Sequence, residues 1–256
     1  MKILLTNDDG IYSEGLCALY ETLALDHEIY IVAPESERSA VGHAITIEQP
    51  LRVRKVKRGR YFWGYAINGT PADCVKLALY ELIGPVDLVI SGINKGANVG
   101  INLLYSGTVS AATEAKILGY SSIAISIDAY KDVDYCFAAN FISTFINYVF
   151  DLPLDLPFCL NINIPRISPY KIKGVKFVRQ SIAKLKEIFD KRLDLHDKIY
   201  YWQGAEEYTE KDPDTDVVAL KEGYITVTPI RFDLTNYSSL NKLKQVDKKI
   251  LKSLIV

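Results

Sequence analysis

Two neighbouring carboxylates, Asp8 and Asp9, lie in the early segment Thr6-Asn7-Asp8-Asp9-Gly10. Held side by side, two carboxylates repel unless a cation or a shared proton relieves them. A hard metal ion is the simplest relief. Two later polar segments add oxygen donors: Ser39 within Glu35 to Gly42, and Asn94 and Asn98 within Ser91 to Gly100. Two carboxylates, a hydroxyl and carboxamides make an all-oxygen set suited to Mg²⁺, Mn²⁺ or Ca²⁺ rather than zinc. A fourth segment, Tyr105-Ser106-Gly107-Thr108-Val109, opens a small-residue helix through Ala111, Ala112 and Ala115, whose free N–H groups would favour a phosphate. The plainer reading of Asn7 to Gly10 is a turn alone, since Asn, Asp and Gly are the usual turn formers. The recurrence of polar breaks after predicted strands weighs against it. His27, His43 and His196 are scattered and read as structural or surface residues; only His43, beside the second polar loop, is an accessory candidate.

The elements that must position these groups read as a parallel α/β pattern. Ile3, Leu4 and Leu5 form an apolar run without alternation, as in a strand covered on both faces. Ser13 can cap a helix with Leu16, Leu19, Tyr20 and Leu23 on one face, and Glu28 to Ala33 reads as the next strand. Ligand sites in such sheets lie beyond the carboxyl ends of the strands, where Asp8 and Asp9 fall. His43 to Val56 suggests a hairpin-like excursion answered by Tyr61 to Ile67, and Thr70-Pro71-Ala72-Asp73 starts a helix that runs to about Ile83. Val86 to Ile90, Ser122 to Ile127 and Phe158 to Asn163 read as further strands. Val133 to Phe150 reads as a helix whose stripe Phe137, Phe141, Phe145 and Val149 faces the core. Beyond Lys171, short β-like segments at Lys173 to Arg179 and Lys198 to Gln203 flank a charged stretch read as a solvated face. An acidic loop, a strand over Tyr224 to Ile230 and an amphipathic helix from Ser238 to Val256 close the chain. The expectation is a Rossmann-like, mostly parallel sheet sandwiched by helices. Residues 1 to 180 are expected to form the core that carries these groups, and 181 to 256 a C-terminal extension, a β-arm and helix suited to subunit association.

At 256 residues, with 49% hydrophobic and 24% charged, the composition is that of a globular protein with a substantial core. A formal net charge of -1 gives no reason to expect duplex nucleic acid or an anionic membrane as partner. No G-x-G-x-x-G or Walker A sequence occurs, which disfavours dinucleotide and P-loop chemistry. Cys17, Cys74, Cys136 and Cys159 have no short pair spacing and read as small core residues. Neither a signal-peptide core nor a bilayer-spanning run is evident, so a cytoplasmic protein is expected.

The segments Ile3 to Gly10, Val32 to Pro34 with Arg38-Ser39, Gly69 to Val75, Ser91 to Asn98, Tyr105 to Val109, Leu160 to Pro165, and Thr215-Asp216 with Gly223 to Pro229 resemble, in order, the SurE family of stationary-phase survival proteins. The resemblance implies a metal-dependent phosphatase of nucleoside 5′-monophosphates, a 5′-nucleotidase, with side activity on 3′-nucleotides and polyphosphate. It also implies one Mg²⁺ or Mn²⁺ per subunit held by Asp8, Asp9, Ser39 and Asn94, and a homodimer or homotetramer built by exchange of the C-terminal extension. Asn98, Ser106 and Thr108, with the backbone at Gly107, would orient the phosphate, and Asp8 or Asp9 would accept a proton from the attacking water. Ile11-Tyr-Ser-Glu-Gly15 and Glu35-Ser36-Glu37 depart from the family's usual forms without removing an expected ligand. Two other readings are a non-catalytic nucleotide-binding regulator and a haloacid-dehalogenase-like phosphatase. The latter needs a nucleophilic Asp where Asn7 stands.

Overall fold

The structure, a computed structural model, describes residues 1–58, 61–129, 131, 133–184, 186–205 and 209–246. In chain order the first half runs β1 (Lys2–Thr6), α1 (Glu14–Leu23), β2 (Glu28–Pro34), β3 (Val53–Arg58), β4 (Tyr61–Ile67), α2 (Pro71–Leu77), β5 (Leu88–Lys95) and α3 (Gly107–Ile117). The second half runs β6 (Ser122–Ile127), α4 (Tyr135–Val149), β7 (Cys159–Ile164), β8 (Val175–Phe177), β9 (Glu187–Leu193), β10 (Ile199–Ala205), α5 (Asp216–Lys221), β11 (Ile225–Pro229) and α6 (Tyr237–Leu243).

Nine strands form one sheet in the order β3-β4-β2-β1-β5-β6-β7-β11-β8. From β4 through β7 every neighbouring pair is parallel, and β3 and β11 pair antiparallel with β4 and β7. The strand order reverses at β1: β2 lies on one side, β5 on the other. That reversal opens the crevice in which α/β folds bind ligands.

The apolar run in β1 serves both faces. Ile3 and Leu5 join the cluster under α1 and α4 with Leu16, Leu19, Ile142 and Ile146, while Leu4 joins Val89, Cys74, Val75, Ala111 and Ala115 under α2 and α3. All three β1 residues are fully buried. Fully burying each such side chain is worth about 1.5–3 kcal/mol, so this short strand is anchored at the centre of the sheet. Thr70 and Asp73 form the reciprocal capping box that their spacing predicts, and α2 continues as a π-helical turn over Ala78–Leu82.

Several expectations need correction. The segment 43–52 forms no strand. Thr46 instead gives its backbone N–H and hydroxyl to the buried Asp73 carboxylate, and Ala44 O accepts from the Thr70 hydroxyl, so this stretch bonds to the α2 cap rather than to a neighbouring strand. β5 runs on to Lys95, past the expected end at Ile90. In α4 the fully buried stripe is Ala138, Ala139, Ile142, Ile146 and Val149; Phe137, Phe141 and Phe145 pack against the same cluster only partly buried. The charged stretch after residue 186 is solvated yet extended, pairing as β9 with β10 in a separate antiparallel hairpin, the arm. Of the acidic loop expected to hold Pro213, Asp214 and Asp216, Asp216 instead opens the helix α5. Cys74 and Cys159 are buried, but Cys17 is half-buried and Cys136 exposed; all four are free. Of the expected C-terminal helix, α6 accounts for the start, and residues 247–256, with Ile250 and Leu254, lie outside the described residues. No helix among the described residues is long and apolar enough to cross a membrane.

Candidate active site at the strand reversal

The turn after β1 is built by Asn7. Its Nδ2 donates to Gly10 O (3.0 Å) and Ser13 Oγ (2.6 Å), and its Oδ1 accepts from Gly10 N (3.2 Å). Gly10 takes φ +97°, which a side chain would resist. With its amide turned inward and fully buried, Asn7 stands clear of the crevice, which removes the position a haloacid-dehalogenase-like nucleophile would need. The loop after β2 is laced to this turn through Arg38 N to Asp8 O (2.7 Å) and Ile11 N to Pro34 O (2.9 Å).

Asp8 is nearly buried, at 4% exposure. The Thr108 hydroxyl donates to Asp8 Oδ1 at 2.5 Å, and the Thr108 backbone N–H also bonds the carboxylate. Gly107, the first residue of α3, approaches so closely that a Cβ there would lie 2.8 Å from Asp8 Cβ. The start of α3 therefore grips Asp8. Ser106 caps the helix, its Oγ accepting from Val109 N.

Asp9 is half-buried beside Asp8. Burial, then the charges of Asp8 and Glu37, push its carboxyl up to about 7 against the pull of Lys95; burial likewise raises Asp8 against its hydrogen bonds from Thr108. Across the crevice, β5 carries one extra residue against β6 between Ser91 and Asn94, a bulge of the kind that re-aims a side chain. Asn94 Nδ2 donates to Gly96 O at 2.8 Å, so its Oδ1 is the end left for a ligand. Asn98 is fixed from behind: its N donates to Asn163 Oδ1 (2.8 Å), its O accepts from Asn161 Nδ2 (2.7 Å), and its Nδ2 donates to Ser126 Oγ (2.9 Å). Asn161 and Asn163 thus hold the loop beyond β5, the role their place at the end of β7 suggests.

These groups line one cavity of about 890 Å³ with Asp8, Asp9, Ser39, Asn94, Asn98 and Ser106 on its wall. Gly107 and Thr108 stand behind Asp8, outside that lining. His43 lies elsewhere, its Nε2 2.7 Å from Glu114 Oε2, on a groove shared with Leu103, Phe177 and Phe232. Burial pushes Glu114 up, but hydrogen bonds from His43 and Lys76 outweigh it and hold the carboxyl below its ordinary value. The cavity also takes in Glu37, Lys95, Asn102, Tyr105, and Glu187 and Gln203 from the arm, none of them among the residues expected to bind metal or phosphate. Glu37 accepts from the Ser39 hydroxyl at 2.6 Å, an acidic neighbour that the Glu35-Ser36-Glu37 run could have flagged. The arm residues carry no local signal.

The donor chemistry fits a hard cation. Two crowded carboxylates with pKa values driven upward want a positive charge between them, and the neutral oxygens nearby complete an oxygen set. Among the described residues, no three His, Cys, Asp or Glu side chains gather as metal ligands, so any ion would depend on those neutral oxygens.

Comparison with known proteins agrees with this arrangement. The sequence model of the family described as Survival protein SurE matches residues 3–187. The chain is 51% identical over 252 residues to the 5′-nucleotidase SurE of Syntrophus aciditrophicus, taking in 97% of this chain and 95% of that one. It is 47% identical to the protein of the same name from Pelotomaculum thermopropionicum, over 97% and 96% of the two chains. The crystal structure of SurE protein from Aquifex aeolicus superposes with a TM-score of 0.84 at 38% identity, over 95% of this chain and 98% of that one. A family match running from β1 to the first residue of the arm, with relatives alike over nearly their whole length, means that this chain belongs to the SurE family.

Proposed function

We propose that the chain is a metal-dependent 5′-nucleotidase, hydrolysing nucleoside 5′-monophosphates to nucleoside and phosphate, with 3′-nucleotides and polyphosphate as lesser substrates. The observation that carries this reading is the convergence of Asp8, Asp9, Ser39 and Asn94 on one cavity at the strand reversal. The names of the near-identical-length relatives support it. Asp8, Asp9, Ser39 and the Asn94 amide oxygen would hold one Mg²⁺ or Mn²⁺ per subunit. When bound, the ion offsets charge on the phosphoryl oxygens and makes a water more acidic.

The chain's own residues divide the remaining work. Asp8, held by Thr108 and by the close approach of Gly107, is a fixed point. Asp9, open to solvent on one side, is the carboxylate placed to take the proton of the attacking water. Asn98, Ser106 and Thr108, with the backbone at Gly107, orient the phosphate, Asn98 being pinned by Asn161, Asn163 and Ser126. Hydrolysis forms one P–O bond to water and breaks the ester P–O bond, and the leaving alkoxide is protonated to the nucleoside hydroxyl. His43 has no part in this. The working form is a cytoplasmic homodimer or homotetramer, with the C-terminal extension as the associating part.

The test is inorganic phosphate release from 5′- and 3′-nucleoside monophosphates with Mg²⁺ or Mn²⁺, and again with excess EDTA. Release that EDTA abolishes is expected. Release indifferent to EDTA, or none from folded protein under either metal, refutes the reading.

A further inference from the structure

A cavity of about 890 Å³ is far larger than a phosphoryl group needs. Pockets from roughly 300 Å³ upward already enclose a drug-sized molecule. Its second wall comes from elements that carry none of the carboxylate pair: Asn102 and Tyr105 from the helical turn Gly100–Tyr105, and Glu187 and Gln203 from the arm. Gln203 pairs with Phe189, two residues beyond Glu187, so Glu187 and Gln203 project from the same face of the hairpin. The root of the arm is tied to the site. Gln180 Nε2 donates to Gly100 O at 2.8 Å, and the buried Asp216 carboxylate accepts from both Gly100 N (2.9 Å) and Ser181 N (2.8 Å).

The charges on the lining decide what this wall can take. Asp8, Asp9, Glu37 and Glu187 face one ammonium, Lys95, an excess of negative charge that a single divalent cation does not cancel. Among the described residues, the second wall contributes a carboxylate and two carboxamides and no cation. A second or third phosphate lying there would meet Glu187 without a counter-charge, which is repulsive. A neutral group rich in hydroxyl donors would satisfy the same carboxylate, while the amides offer both donors and acceptors. Tyr105, exposed at the rim, offers a ring face to a sugar or base.

The geometry points to this wall as a nucleoside subsite. Glu187 accepts hydrogen bonds from the ribose hydroxyls, Gln203 and Asn102 hold the polar edge of the nucleoside, and Tyr105 packs against it. Glu187 is then the residue that favours nucleoside monophosphates over di- and triphosphates and over esters lacking a nucleoside. The inference rests on the nucleotidase reading above and goes beyond it in assigning specificity to the arm.

The experiment compares the full-length wild type with Glu187→Gln, Glu187→Lys and Gln203→Ala on AMP, ADP and p-nitrophenyl phosphate, with circular dichroism to check folding. In Glu187→Gln the ratio of kcat/KM for AMP to that for p-nitrophenyl phosphate is expected to fall about tenfold, the scale of one hydrogen bond to a charged group, mainly through KM. Glu187→Lys is expected to raise the ADP-to-AMP ratio by about tenfold or more. A structural role would lower both esters together, and unchanged ratios in Glu187→Gln and Glu187→Lys overturn the assignment. Wild type that hydrolyses no monoester under Mg²⁺ or Mn²⁺ sinks the nucleotidase reading instead. Calorimetric binding of adenosine then still reads the subsite: binding weakened by Glu187→Gln upholds it, and no binding, or binding indifferent to residue 187, overturns it.

Discussion

Replacing Gly107 by alanine should damage the site through Asp8. At the first residue of a helix this exchange is ordinarily neutral or mildly stabilising, by up to about 1 kcal/mol. Here the added Cβ would lie 2.8 Å from Asp8 Cβ, 3.0 Å from Oδ2 and 3.2 Å from Cγ. Carbon atoms rest at about 3.5–4.0 Å, so either Asp8 or the start of α3 must give way by roughly 1 Å. Either shift disturbs Asp8, because the helix start that would move also carries Thr108, whose hydroxyl holds the Asp8 carboxylate. Overpacking of this kind costs about 1–3 kcal/mol, which outweighs the helix gain and leaves a net loss of about 1–2 kcal/mol. For a chain of this size, that is a fall in Tm of about 2–8 °C. A 1 Å misplacement of a reacting group costs about a hundredfold in rate. The assay is kcat and half-saturating Mn²⁺ concentration on AMP, beside a thermal melt without metal. Gly107→Ala is expected to lose about two orders of magnitude in kcat/KM, to need more Mn²⁺ and to melt earlier. A variant as active as wild type and more stable would refute the claim that Gly107 sets the position of Asp8.

The raised carboxyls make a pH prediction with a definite sign. Because Asp9 binds its proton more tightly folded than unfolded, the metal-free protein holds this contribution to stability at low pH and loses it as pH rises from 3.8 towards about 7. Metal-free Asp9→Asn should therefore gain stability over wild type as pH is raised through that window. The Tm increase given by Mg²⁺ to wild type should be larger at pH 8 than at pH 5 and should largely vanish in Asp9→Asn; a cation effect independent of pH would contradict this. Asn163→Ala removes the acceptor for Asn98 N and one donor to Asn98 O inside the core. Leaving a buried N–H unpaired costs about 1–3 kcal/mol, so a lower denaturation midpoint and reduced turnover are expected, and a midpoint equal to that of wild type would show that the loop has another anchor.

The parts of the fold legible in the sequence were those written locally. The unalternating Ile3-Leu4-Leu5 run, the Ser13 cap and the Thr70 to Asp73 box each name an element from a few adjacent residues, and the structure has all three. Asp8, Asp9, Ser39, Asn94, Asn98 and Ser106 meet because parallel strands deliver the loops after β1, β2 and β5 to one edge. The bond from the Thr108 hydroxyl to Asp8 is not legible in the sequence, since a helix start shows its free donors there but not the buried carboxylate that takes them. β9 was hidden because all seven of its residues are exposed, so no apolar alternation marks the strand. Glu187 and Gln203 reach the cavity only through long-range ties at the arm's root, and nothing near them in sequence records that.

Part of the frame of the site is main chain bonded to main chain. Arg38 N bonds Asp8 O, Ile11 N bonds Pro34 O, Gly96 N bonds Ile127 O, and α1 presses on β5 so tightly that a Cβ at Gly15 would sit 2.2 Å from Ile93 O. Contacts of that kind do not depend on which side chains fill the interior, provided a few glycines stay bare. Drift in the core can therefore change packing without moving the carboxylates. This is the physical sense in which a chain only 38% identical to this one can keep a TM-score of 0.84. Substitutions at Gly15 and Gly107 should be tolerated far less than exchanges among the leucines and isoleucines that surround them.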